Sequence, residues 1–221
     1  MERTPNDARV RLFETELSFV KDAPLKALVE YVLKKLPEYF FHVPASSTGK
    51  YHPAYALGEG GLVRHTKAAV RIFVDLAAAG IDEWYMNLDT YNPDLYSKEQ
   101  FDSECVAALI LHDSIKYGIE DIALEDIPNH HTKFEHPLLA ASFLMACAQE
   151  IGYENGAQVE RVANLISSHM GKWCYSKYST YVLPTPDMGG WGHKMVHLAD
   201  YLASRKELEY NFFTDWSSRH V

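Results

Sequence analysis

An all-α fold is predicted for this chain of 221 residues, on three observations. Apolar residues recur at three- and four-residue intervals along most of its length, the spacing of one helix face. Prolines and glycines fall where those stretches open and close. No segment alternates apolar and polar side chains as a half-buried strand would; the nearest, residues 181–183, is followed at once by Pro184 and Pro186.

Taken in order, the first clear helix is 24–36, where Leu25, Leu28, Val29, Val32 and Leu36 share a face and Pro24 stands at the start. Residues 62–79 repeat the pattern through Leu62, Ala69, Ile72, Phe73 and Leu76, up to Gly80. Phe101, Cys105, Ala108 and Leu109 mark a helix over 101–112. A fourth opens at Pro137 and closes at Gly152. The fifth, 157–169, carries Val159, Val162 and Ile166, with Gly171 a suitable stop. The last, roughly 191–210, carries Met195, Leu198, Ala199 and Leu202. Residues 1–40 are expected to add two helices as an N-terminal extension packed on a core domain of residues 41–221. Three segments break the pattern: 41–61, rich in Gly, Pro and Ser; 81–100, acidic and tyrosine-bearing; and 172–190, with Trp173, Tyr175, Tyr178 and Tyr181. Loops of this length are often binding loops or lids.

Composition narrows the function classes. Hydrophobic residues make up 47% of the chain, enough for a self-supporting core and too many for a disordered segment. No apolar run approaches the ~20 residues that cross a bilayer, and the charged N-terminal stretch has no apolar signal core; a soluble, cytoplasmic protein is expected. Cys105, Cys147 and Cys174 are odd in number and scattered, with no CxxC pair, which argues against a disulfide framework or a thiolate zinc site. The formal net charge of −9 argues against gripping an extended duplex, which needs several Lys or Arg on phosphates. A small nucleotide or a short single-stranded end stays compatible with it, because bound metal ions supply positive charge locally.

The chain has 11 histidines, and their registers matter more than their number. His65 falls in line with Leu62, Ala69, Ile72 and Leu76. His112 continues the face of Cys105, Ala108 and Leu109. His169 continues that of Val159, Val162 and Ile166. Each therefore points inward. One inward histidine is ordinarily a satisfied core residue, but three on separate helices all need polar partners, and a shared metal ion would satisfy them together through neutral imidazole. Asp113, at the end of the apolar run ALILHD, and Asp200, in MVHLADYLASR, would be costly charges unless paired or metal-bound. A mixed His/Asp set suits Mn, Fe, Mg or Zn better than thiolate-seeking ions.

The order His65, His112-Asp113, His136, His169, Asp200 resembles the H…HD…H…H…D signature of the HD-domain metal-dependent phosphohydrolases, over roughly residues 44–206. PASSTGKYHPAYALGEGGLVRHT looks like the segment before the first metal histidine in the HD domain of bacterial 3′-to-5′ exoribonucleases and some relaxase-associated proteins. ALILHDSIKYG resembles the HDxGK motif with Ile115 in place of glycine, FEHPLLAASFL the third histidine motif, and VHLADYLASRK the closing aspartate motif. ISSHMGKW is similar to the exoribonuclease SHHGK segment, with Met170 in place of its second histidine.

The resemblance implies a helical bundle with long loops around two divalent metal ions. One would be held by His65, His112, Asp113 and Asp200, the other by His136 and His169, with Asp113 bridging both. It further implies hydrolysis of a phosphoester or phosphoanhydride of a nucleotide, dinucleotide or short oligonucleotide 3′ end by a metal-activated hydroxide. Lys116, one helical turn beyond His112, and Lys172, just after His169, are candidates for neutralising the substrate phosphate. Arg64 is placed either for the same task or for a surface ion pair. His130 and His131 could replace His136 as a ligand or meet the leaving group as an acid; His193 and His197 fit supporting roles beside Asp200. Trp173, Tyr175 and Tyr178 could stack a base or pack the loop. Some HD proteins use the same six ligands for a mixed-valent di-iron pair that oxidises a small polyol or phosphonate, and the ligand set is compatible with both chemistries. Oligomeric state is not legible.

Overall fold

The computed structural model describes residues 5–46, 48–81, 96–129 and 131–208. Among them it is helical throughout: α1 (Pro5–Leu12), α2 (Glu14–Leu17), α3 (Ala23–Lys35), α4 (Gly61–Ala78), α5 (Lys98–Leu111), α6 (His136–Glu150), α7 (Gly156–Ser167) and α8 (Trp191–Ala203). Short 3-10 turns lie at Glu38–Phe41, Ala54–Ala56, Leu124–Asn129, Gly171–Trp173 and Pro186–Met188. The described residues contain no strand, only a single antiparallel bridge between Tyr175 and Val182, inside the segment where the sequence came nearest to strand alternation. No described helix is long and apolar enough to cross a membrane.

Helix starts follow local chemistry. The Asp22 carboxylate accepts from the Leu25 amide at 2.9 Å, capping α3 with Pro24 in its first turn. Ser97 and Gln100 form a reciprocal capping box on α5, and Asn155 caps α7. The α4 start is set by close approach. A Cβ on Gly61 would lie 2.3 Å from the Ala56 carbonyl oxygen, so only glycine lets the 41–61 loop fold onto the helix that carries His65.

Helices α4 and α8 pack together, α5 packs on α4, α7 and α8, and α6 packs on α7. Their buried faces form one apolar cluster that also takes in Phe13, Leu17, Val20, Leu25, Leu28, Val29 and Val32. The N-terminal segment has one helical turn more than the two helices expected, and polar bonds tie it to the rest. Buried Glu16 meets Lys67 at 2.8 Å and Arg71 at 3.3 Å on α4. Gln158 of α7 donates to Asp22 at 3.0 Å, and Tyr39 donates to the Gly118 carbonyl at 2.6 Å while accepting from the Tyr117 amide at 3.1 Å. That last pair fixes the turn just after Asp113.

The final helix is shorter than its apolar pattern suggests. It ends at Ala203 rather than near 210, because the Ser204 hydroxyl turns back to the Tyr201 carbonyl at 2.8 Å and the Lys206 amide bonds to the Tyr51 carbonyl at 2.8 Å. This draws the chain across to the 41–61 loop. Residues 82–95 of the acidic segment lie outside the described residues.

Candidate metal centre

The inward histidines meet at helix ends. His112 follows the last residue of α5, His136 opens α6, and His169 lies two residues past α7; His65 sits in the second turn of α4 and Asp200 near the end of α8. All four histidines and Asp113 are buried, and Asp200 is partly exposed. His65 Nε2 is 3.0 Å from Asp200 Oδ1 and 3.3 Å from His112 Nε2. His112 Nε2 is 3.5 Å from Asp200 Oδ1 and 3.8 Å from Asp113 Oδ2. On the other side of Asp113, Oδ1 is 2.9 Å from His136 Nε2 and 3.8 Å from His169 Nε2. Two overlapping groups, His65/His112/Asp200 and His112/Asp113/His169, bring their ligand atoms within 4.8 Å of one another.

Helix ends supply the orientation. A helix leaves its last carbonyls without amide partners, and the histidines beyond α5 and α7 use them. Nδ1 of His112 bonds the Leu109 carbonyl at 2.7 Å, Nδ1 of His169 bonds that of Ile166 at 2.7 Å, and Nδ1 of His136 bonds that of Lys133 at 2.7 Å. A carbonyl can only accept, so each Nδ1 carries a proton and each Nε2 turns inward, where its lone pair is what a metal ion takes. His136 Nε2 and Asp113 Oδ1 then face each other as two acceptors at 2.9 Å, and the buried His136 Nε2 has no hydrogen-bond partner. Two lone pairs at that separation repel unless a cation lies between them. The donor set and the facing acceptors fit a divalent metal site.

Electrostatics agree. Burial would push the Asp113 carboxyl up, but the charges of Lys116 and His112 outweigh it and hold the group well below the usual carboxylate range. Burial pushes Asp200 the same way, and the facing His112 and His65 rings hold it low. His169 is pushed down to about 3 by burial and then by the neighbouring His112 charge. It stays neutral at any working pH.

The remaining predicted residues divide. Lys116 is buried, forms an ion pair with Asp113 and lines the cavity above the cluster. Lys172 lies at the cavity rim, its ammonium 4.9 Å from the Trp173 ring centroid. Arg64 does neither task suggested for it: it donates to the Tyr55 and Leu57 carbonyls and braces the 41–61 loop. His131 is exposed and is not among the cavity-lining residues; His130 lies outside the described residues. His193 bonds Ser168 at 2.7 Å and His197 bonds the His169 carbonyl at 2.6 Å, so both brace the end of α7. Trp173 is exposed at the rim, and Tyr175 and Tyr178 stand out further into solvent.

Gly171 makes the His197 brace possible. Its φ is +59°, and a Cβ there would lie 2.1 Å from His197 Cε1. Gly171→Ala is expected to displace His197, free the His169 carbonyl and cost about 1–3 kcal/mol. Thermal denaturation and metal content per chain would both fall; an unchanged metal content would show that the brace does not position His169.

The cavity over the cluster has a volume of about 530 Å³. Sequence reasoning passed over several of its lining residues: Tyr51, His52, Thr132, Tyr201, Ser204 and Arg205. Five of them were within sight, since Tyr51 and His52 lie in the segment leading to His65 and Tyr201, Ser204 and Arg205 in the closing aspartate motif. Nothing in their periodicity marked them out.

An all-helical domain that gathers histidines and aspartates at its helix ends, beneath an open cavity, has the architecture of a metal-binding hydrolase. The family model described as HD domain matches residues 58–204, more than half of the 221 residues. The chain belongs to this family, within the HD metal-dependent phosphohydrolase superfamily. No curated protein and no solved structure matches it.

Proposed function

We propose that the protein is a phosphohydrolase that cleaves a phosphoester or phosphoanhydride in a nucleotide, dinucleotide or short oligonucleotide 3′ end. In this reading His65, His112, Asp113, His136, His169 and Asp200 would hold two divalent ions. The observation that carries it is the facing of His136 Nε2 and Asp113 Oδ1, two acceptors at 2.9 Å with no hydrogen bond between them. Bound divalent ions supply Lewis acidity, acidifying water and drawing charge from the phosphoryl group.

The chain's own residues do the positioning. Lys116 keeps Asp113 ionised and offers its ammonium to the cavity, where it stands to neutralise a phosphoryl oxygen. The buried rings of His65, His136 and His169 line the cavity floor. The preference for a nucleotidyl substrate rests on the motif likeness to 3′-to-5′ exoribonucleases and on the aromatic rim at Trp173.

The test is metal analysis of protein purified without chelator, followed by Mn²⁺-supported hydrolysis of bis-p-nitrophenyl phosphate, nucleotides and short oligonucleotides. Two metals per chain with hydrolysis are expected. Two irons, an oxygen-dependent optical change and no hydrolysis would favour the oxygenase chemistry instead, and absence of metal would overturn the ligand assignment. Lys116→Ala is expected to lower kcat/KM by about 10²-fold or more, with Lys116→Arg recovering part of it; an unchanged kcat/KM would remove Lys116 from the reaction.

A further inference from the structure

The cavity over the cluster carries a second set of cations at its mouth. Lys172 and Arg205 both line it, and among the described residues neither is paired with a carboxylate. In a chain with 30 acidic against 21 basic residues, two cations left without acidic partners on one cavity rim point to an anion from outside.

Arg205 is also held in an unusual way. Its guanidinium carbon sits 4.4 Å from the Tyr201 ring centroid, 5.5 Å from that of Tyr51 and 5.9 Å from that of Trp173. Tyr201 and Trp173 are themselves stacked, 5.9 Å apart and 22° from parallel. The guanidinium donates to the Ser204 hydroxyl at 3.0 Å, and its buried Nε has no acceptor. The surrounding rings hold the guanidinium through cation–π contacts and leave most of its donors unused. A planar fork that is oriented in advance and still unpaired suits the two-oxygen grip on a phosphate. It is distinct from Lys116, whose ammonium is engaged with Asp113 beside the cluster.

Resting on the phosphohydrolase reading, we infer that the rim of Tyr51, Lys172, Trp173, Tyr201 and Arg205 binds a second phosphate of the substrate, one that is not cleaved. The adjoining base lies against Trp173. The substrate is then a dinucleotide or an oligonucleotide end, with at least two phosphates separated by a nucleoside, and not a mononucleotide monoester.

The dinucleotides pApA and ApA test this, since they share bases and scissile diester and differ only in the 5′-phosphate. Wild type is expected to prefer pApA in kcat/KM, and Arg205→Ala to lose that preference by roughly 10- to 100-fold, the worth of a charged hydrogen-bonding group. Arg205→Lys, which keeps charge and bulk but not the fork, should lose less. Titration calorimetry of both dinucleotides with the metal-free protein should give the same loss of preference without any chemistry. Equal losses on pApA and ApA, or no preference in wild type by either measurement, would overturn the inference. Hydrolysis of bis-p-nitrophenyl phosphate without dinucleotide binding would sink the rim and leave the hydrolase standing. Failure to hydrolyse any phosphoester would sink the hydrolase reading, while the calorimetric preference would still decide the rim.

Discussion

Asp113→Ala should abolish hydrolysis, a loss of at least about 10³-fold, and at the same time destabilise the metal-free protein. Asp113 reaches both halves of the cluster, 2.9 Å from His136 and 3.8 Å from each of His112 and His169, so its removal should lower metal content as well as rate. The stability effect has a separate cause. Lys116 is buried and pairs with Asp113; without the carboxylate its ammonium is left unpaired in a poorly solvated place, which costs about 3–5 kcal/mol in comparable sites. Lys116→Met added to Asp113→Ala removes the orphaned charge and should restore most of the melting temperature while leaving hydrolysis abolished. If the double variant recovers activity, Asp113 is not a metal ligand. If it recovers neither activity nor stability, the loss has another structural origin.

The pH dependence follows from the same pair. The folded-state pKa of Asp113 lies well below its ordinary 3.8 because Lys116 and His112 outweigh the effect of burial. A depressed carboxyl stabilises the fold fully above the unfolded-state value, and that contribution fades as pH falls toward the folded-state value. Wild type and Asp113→Ala should therefore differ most in metal-free stability at neutral pH and converge below about pH 4. A difference that stayed constant to lower pH would show that ionisation of Asp113 is not what stabilises the fold.

Much of this was legible in the sequence. Periodicity found the helices because burial of one face repeats every three to four residues. It also found His65, His112 and His169, because an imidazole in register with Leu and Val has to be inside. His136 stood out only through motif order, since it opens a helix and has no periodic run before it. What the sequence could not carry was pairing across the fold. Arg64 reads as a cation beside a ligand, yet backbone carbonyls of the preceding loop take it. Arg205 sits in the last turn of a helical pattern, and its relation to Tyr51 exists only because the chain reverses at Ser204. The end of α8 was misplaced for the same reason: the apolar pattern contains no sign of the Lys206–Tyr51 bond.

Removal of residues 1–36 should unfold the domain, although the family match begins only at residue 58. Nine apolar side chains of that segment are buried: Phe13, Leu17, Val20, Leu25, Leu28, Val29, Val32, Leu33 and Leu36. At about 1.5–3 kcal/mol for each side chain buried, their loss matches or exceeds the 5–15 kcal/mol by which a typical domain is stable. The truncation would also remove Glu16 from Lys67 and Arg71 of α4, two and six residues beyond His65. Residues 37–221 are expected to be insoluble, or to keep helical far-ultraviolet dichroism while losing near-ultraviolet signal and binding hydrophobic dyes. Glu16→Ala in the full chain isolates the polar part of the effect and should cost about 3–5 kcal/mol, since a buried carboxylate is removed from between two cations. A truncated protein that melts cooperatively near the full-length temperature would show the N-terminal helices to be an accessory. A truncated protein that melts early but still loads metal would show that they stabilise the fold without shaping the site.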